Sequence, residues 1–221
     1  MPNRFASGPL LRLLRLAEIV TLALMVQVAS AKAAPLKILA LGDSLTAGYG
    51  LPPGQGFVPQ LQKALTDAGI AAEVQDGGVS GDTTAGGLAR LDWLLADDPQ
   101  LVIVELGAND ALRGLDPAQA KSNLGAILAK LTAQHRAVLL AGMLAPPNLG
   151  SDYGAAFNAI YPDLARQYDV ALYPFFLDGV AADPALNQPD GLHPTAEGVA
   201  IIVKRLLPSL RQVIAKAEGS S

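Results

Sequence analysis

Five short apolar runs, at 36–41, 72–76, 101–106, 137–141 and 170–173, alternate with segments whose apolar residues recur at helical spacing. Strands that are apolar throughout must be covered on both faces, and a helix between consecutive strands makes them parallel. The helical stripes comprise Phe57, Val58, Leu61 and Leu65; Leu88, Leu91 and Leu95; Ala120, Leu124, Ile127, Leu128 and Leu131; Tyr153, Phe157, Ile160, Tyr161 and Leu164; and Val199, Ile202, Leu206, Leu210 and Val213. Asp116 and Pro117 form a cap and first position for the third. Pro162 and Pro208 fall inside the last two, where a kink or break is expected.

The fold class is α/β, with a three-layer α/β/α, flavodoxin-like parallel sheet of about five strands in the order 2-1-3-4-5. Right-handed crossovers place the loops after strands one and three side by side. One domain is expected over 34–221. Residues 1–33 have the layout of a signal peptide. Arg4, Arg12 and Arg15 precede an apolar run from Ile19 to Ala31, and Ala29-Ser30-Ala31 and Ala31-Lys32-Ala33 offer cleavage sites. The run is too short for a spanning helix, so no membrane span is expected after processing, and the mature chain would be periplasmic or secreted. There are no cysteines, which excludes disulfides, thiolate catalysis and cysteine-bound zinc. Loss of 1–33 removes four positive charges and one negative, taking the net charge from −4 to −7. That argues against nucleic acid as a partner. A monomer is expected.

The first run enters Gly42-Asp43-Ser44-Leu45-Thr46. Gly42 would let the chain turn sharply and present Ser44 on a loop. On this stretch alone Ser44 has two readings, an exposed nucleophile or the N-cap of the next helix. The other loops at carboxyl ends of strands add Gly77-Gly78-Val79-Ser80-Gly81-Asp82-Thr83, Gly107-Ala108-Asn109-Asp110 and Asp190-Gly191-Leu192-His193-Pro194. A serine, a glycine loop, an asparagine and an Asp/His pair thus converge on one rim, the inventory of acyl transfer. Of the two histidines, His135 ends a helical pattern and reads as structural, whereas His193 is the candidate base and Asp190 its orienting carboxylate. Candidate oxyanion donors are the Ser44 amide, the Gly81 amide and the Asn109 side chain. Asp43, Asp82 and Asp110 read as loop supports. Glu105, a carboxylate in an apolar strand, calls for a buried partner, with Arg90 the candidate. No phosphate-binding glycine loop, dinucleotide fingerprint, Gly-x-Ser-x-Gly elbow or metal-ligand cluster is present, so no metal and no cofactor is expected.

Together these four stretches resemble the SGNH (GDSL) hydrolase family, and most closely its periplasmic thioesterase/lysophospholipase and arylesterase branch. Supporting stretches are Gly48-Tyr49-Gly50, Leu88-Ala89-Arg90-Leu91, Asn109-Asp110-Ala111-Leu112-Arg113-Gly114 and Tyr173-Pro174-Phe175-Phe176. The resemblance implies a Ser44, Asp190 and His193 triad, with an oxyanion hole of Ser44, Gly81 and Asn109. It also implies a segment near 111–116 beside an acyl groove and a loop near 144–154 along it, with Leu112, Pro146 and Pro147 touching substrate. The implied activity is hydrolysis of small acyl esters and thioesters. A carbohydrate O-deacetylase of the same family and a non-catalytic periplasmic binding domain are the alternatives.

Overall fold

A computed structural model of the chain describes residues 34–218; the expected signal peptide lies outside the described residues. Strand β1 (Leu36–Gly42) pairs with β2 (Ala72–Gly78) on one side and β3 (Leu101–Glu105) on the other. Strands β4 (Ala137–Ala141) and β5 (Ala171–Tyr173) complete a parallel sheet of order β2-β1-β3-β4-β5, as expected. Residues Ile38 to Leu41 and Leu101 to Val104 are buried without alternation, because helices lie over both faces of the central strands. The edge strand β2 instead alternates in part, with Glu73 exposed.

One helical layer contains α2 (Phe57–Asp67) packed on the last helix, α8 (Ala196–Glu218). The other contains α3 (Thr84–Leu94), α5 (Pro117–Ala133) and α7 (Ile160–Tyr168), packed in series. Two short helices, α1 (Ser44–Ala47) and α4 (Ala108–Leu112), follow the carboxyl ends of β1 and β3, and α6 (Ser151–Asn158) precedes α7. Helix α5 begins as expected, with Asp116 accepting from the Ala118 N–H and Pro117 in the first turn. The stripe containing Pro162 is split into α6 and α7, and Pro162 falls in the first turn of α7, where its missing N–H has no intrahelical partner to lose. Pro208 does not break α8. Val199, Ile202, Val203 and Leu206 before it and Leu210, Val213 and Ile214 after it are all buried on the core, and that burial outweighs an interior proline's cost of about 3 kcal/mol.

In register, Gly42 at the end of β1 stands between Gly78 and Glu105, so the three loops that matter chemically leave the sheet side by side. His135 sits at the opposite edge, in a left-handed conformation after α5, on a cavity of about 750 Å³ that it shares with Asp98, Arg136 and Asp169. No chemistry-bearing loop named above reaches that cavity.

Candidate active site

Ser44 is the first residue of α1, and the cap is Asp43, whose Oδ1 accepts from the Leu45 N–H at 3.0 Å. Of the two readings of Ser44, the cap is therefore filled by its neighbour, and the exposed-loop reading is corrected as well: Ser44 opens a helix and is 9% exposed. Its own hydroxyl stands 2.9 Å from His193 Nε2. His193 Nδ1 stands 2.6 Å from Asp190 Oδ2, while Asp190 Oδ1 accepts from the backbone N–H groups of Leu192 and His193 at 2.9 and 3.0 Å. Those two amides, then the imidazole, lower the Asp190 carboxyl to about 2, so it is ionised throughout the neutral range. An anion at Nδ1 places the proton there and leaves Nε2 free to accept from Ser44.

Two residues outside the expected set hold His193. The Tyr49 ring lies 4.6 Å from the imidazole, centre to centre. Gln188 donates from its side chain to the carbonyls of Tyr49 and Pro194 at 2.8 and 3.0 Å, and from its backbone to His193 O at 2.7 Å. The loop after Ser44 and the loop of the histidine are thereby tied together. Tyr49 lies in the supporting stretch Gly48-Tyr49-Gly50, which carried no role for it, and for Gln188 only its spacing, five residues before His193, could have suggested it.

The expected oxyanion donors share the rim. Neither the Ser44 N–H nor the Gly81 N–H donates to an acceptor among the described residues. Gly81 is left-handed (φ 83°), and its carbonyl accepts from the Arg113 guanidinium at 2.7 Å. Asn109 follows Gly107 (φ 116°), where a side chain would collide with the Tyr161 hydroxyl, itself donating to Leu106 O at 2.9 Å. Asn109 Nδ2 donates to Asp43 Oδ2 at 3.0 Å. Asp110 accepts from the Thr84 N–H at 2.8 Å and the Thr84 hydroxyl at 2.7 Å, joining the β3 loop to the start of α3. All three acidic supports therefore act as such, with Asp82 paired to Arg90 at 2.6 Å.

Two expectations are corrected. Arg90 is not the partner of Glu105. It donates to Asp82 and to the carbonyls of Gly77 and Gly42, bracing the ends of β1 and β2. Glu105 Oε2 instead accepts from the Thr46 hydroxyl at 2.7 Å and the Asp43 N–H at 3.4 Å, and Oε1 has no partner among the described residues. Complete burial, reinforced by the Asp43 charge, pushes the Glu105 carboxyl well above the usual carboxylate range. Burial likewise raises Asp43, to about 6, against the pull of Leu45, Asn109 and His193. Gly42, expected to let the chain turn sharply, ends β1 without a positive φ. It is glycine because a Cβ would collide with Thr46 Oγ1 and stand 2.6 Å from Glu105 Oε2.

Of the residues expected to touch substrate, Leu112 is exposed, Pro146 half-buried and Pro147 exposed. Tyr153 Oη donates to Leu115 O at 2.8 Å, linking α6 to the 111–116 segment. Among the described residues the large exposed apolar side chains apart from Trp93 are Tyr49, Val79, Leu112, Leu115, Leu144 and Leu192, Leu112 at the end of α4 and the others on loops of this rim. Among the described residues no group of three or more His, Cys, Asp or Glu side chains could hold a metal ion.

Residues 40–201 match the GDSL-like Lipase/Acylhydrolase family. The chain is 42% identical over 205 residues to Esterase TesA of Pseudomonas aeruginosa, covering 92% of this chain and all of that protein. It is 38% identical over 178 residues to thioesterase 1/protease 1/lysophospholipase L1 of Escherichia coli, covering 80% of this chain and 84% of that one. The structure of AlinE4, an SGNH-hydrolase family esterase, superposes with a TM-score of 0.70 at 48% identity, covering 83% of this chain and 98% of that one. The chain belongs to the GDSL-like lipase/acylhydrolase family.

Proposed function

We propose that the chain hydrolyses carboxylic esters and thioesters through an acyl-enzyme on Ser44. The observation that carries this reading is the continuous relay from Ser44 Oγ through His193 to Asp190, with contacts of 2.9 and 2.6 Å. His193 Nε2 takes the hydroxyl proton as Oγ attacks the acyl carbonyl, then gives it to the departing alkoxide or thiolate. Water, deprotonated by the same nitrogen, releases the acid. Asp190 keeps the ring in place and offsets the charge it gains. The tetrahedral oxyanion is received by the N–H groups of Ser44 and Gly81 and by Asn109 Nδ2. The collar of exposed apolar side chains suits a substrate with an aliphatic or aromatic acyl part, with Leu112, Pro146 and Pro147 along it. The relatives' names, esterase and thioesterase, support both leaving-group classes. We further propose export with removal of residues 1–33, giving a periplasmic or secreted monomer. The basic start, apolar run and Ala-x-Ala sites support export, and the acidic mature charge supports a role without nucleic acid.

Labelling with a fluorophosphonate probe tests the mechanism. Wild type labels and Ser44→Ala does not, and Ser44→Ala loses at least about 10⁴-fold in kcat on a nitrophenyl ester. Equal labelling of the two overturns the reading. Acyl nitrophenyl esters, acyl thioesters and acetylated sugars, assayed together, separate esterase and thioesterase action from deacetylation.

A further inference from the structure

We propose that Asp43 is a positioning residue that acts through Asn109, forcing the amide of Asn109 to present N–H rather than C=O to the oxyanion. The inference rests on Asn109 being an oxyanion donor. A carboxamide is nearly symmetric in shape, and nothing in its own packing distinguishes its nitrogen from its oxygen. In one orientation it donates to a developing oxyanion; turned over, it opposes that charge with a lone pair. Asp43 removes the choice. As an anion it can only accept. Its Oδ1 is occupied by the Leu45 N–H, and its Oδ2, 3.0 Å from Asn109 Nδ2, tolerates only the nitrogen end. The second N–H on that nitrogen is then left for the substrate.

The surroundings maintain the anion. Asp43 is buried, the charges acting on it are Asp82 from the loop after β2 and His193 from the loop before α8, and its own charge acts on Glu105 from β3. Arg90 is committed to Asp82 and to two carbonyls. Two carboxylates coupled in a buried site cannot both ionise cheaply. The proton goes to Glu105, the one with an orphaned oxygen, and Asp43, whose two oxygens accept from Leu45 and Asn109, keeps the charge that Asn109 reads.

Asp43→Asn and Asp43→Ser, each alone and combined with Asn109→Ala, test this. Asp43→Asn keeps the Leu45 cap on its oxygen and turns an NH₂ group toward Asn109, which stabilises the inverted amide. A fall in kcat of about 10²–10³-fold, with KM within about three-fold, is expected. Asp43→Ser also keeps a cap but leaves the amide free to turn, so its kcat lies between wild type and Asp43→Asn. A scaffold role predicts the opposite order, since Asn is the closer mimic of Asp. In the Asn109→Ala background both substitutions change kcat by less than about three-fold. If Asp43→Asn costs the same factor with and without Asn109, or if Asp43→Ser is the worse variant, the proposal fails while the oxyanion role of Asn109 stands. If Asn109→Ala alone has wild-type kcat, the oxyanion role fails and takes the proposal with it. Circular dichroism and thermal melting check each variant. Should Asp43→Asn not fold, the Asp43→Ser pair alone decides, because its loss must vanish when Asn109 is absent.

Discussion

Gly42→Ala is the smallest change that tests how the site is held together. The added methyl would occupy the space of the Thr46 hydroxyl and stand 2.6 Å from Glu105 Oε2. Neither neighbour is free to yield, since Thr46 and Glu105 are both fully buried and bonded to each other at 2.7 Å. Overpacking at such a position costs about 1–3 kcal/mol. Driving the hydroxyl off the carboxyl leaves a second buried oxygen of Glu105 without its close donor, for about 1–3 kcal/mol more. The total, about 4 kcal/mol, corresponds to a melting point lower by about 8–16 °C in a chain of this size. Gly154→Ala is the control. It lies within α6 with open space around it and a negative φ, so alanine there leaves stability unchanged or adds about 0.5–1 kcal/mol. Thermal unfolding followed by circular dichroism at pH 7 measures both. A Gly42→Ala melting point within about 2 °C of wild type would refute the close-packing account and restore the simpler view of Gly42 as a flexible turn.

Glu105→Gln gives a pH-dependent change in stability. The native state raises the Glu105 carboxyl well above its ordinary value, so it favours folding while protonated and loses that contribution as pH rises above about 4.5. Glutamine has no such loss, and urea unfolding should show the variant gaining on wild type between pH 5 and pH 8, by up to about 1.4 kcal/mol per pH unit; equal differences at the two pH values would exclude a neutral Glu105. Asp190→Asn removes the anion that selects the His193 tautomer, and kcat is expected to fall by about 10⁴-fold with little change in melting point. Tyr161→Phe leaves the buried Leu106 carbonyl without its donor, and calorimetry should record a loss of about 1–3 kcal/mol.

The sheet and its order were legible because each strand is a short apolar run and each crossover a helical stripe, signals that survive in a single chain. The relay was legible because only one histidine lies at the carboxyl end of a strand and an aspartate stands three residues before it. What the residues could not disclose was pairing across the sheet. Glu105 meets Thr46 and Asp43 because Gly42 and Glu105 are register neighbours, a relation that appears only when β1 and β3 are aligned. Arg90 looked like the natural counter-ion for a buried acid, yet its three bonds go to strand ends and Asp82. That Pro208 leaves α8 unbroken was hidden for the same reason: its local penalty is readable, whereas the long buried stripe that outweighs it is a property of the packed core.

Ser44 and His193 are 149 residues apart in the chain. The loop carrying His193 is secured by the last helix, and Gln60 in α2 donates to Ala196 O at its first turn. The proposed nucleophile is thus made early in synthesis and its base only near the end. A fragment that stops short of His193 lacks the proposed base, and one that stops before Ala196 lacks the Gln60 contact just behind that base. On the proposed mechanism, ester hydrolysis is expected to report completion of the fold, recovering during refolding together with the docking of α8 on α2 and not before it.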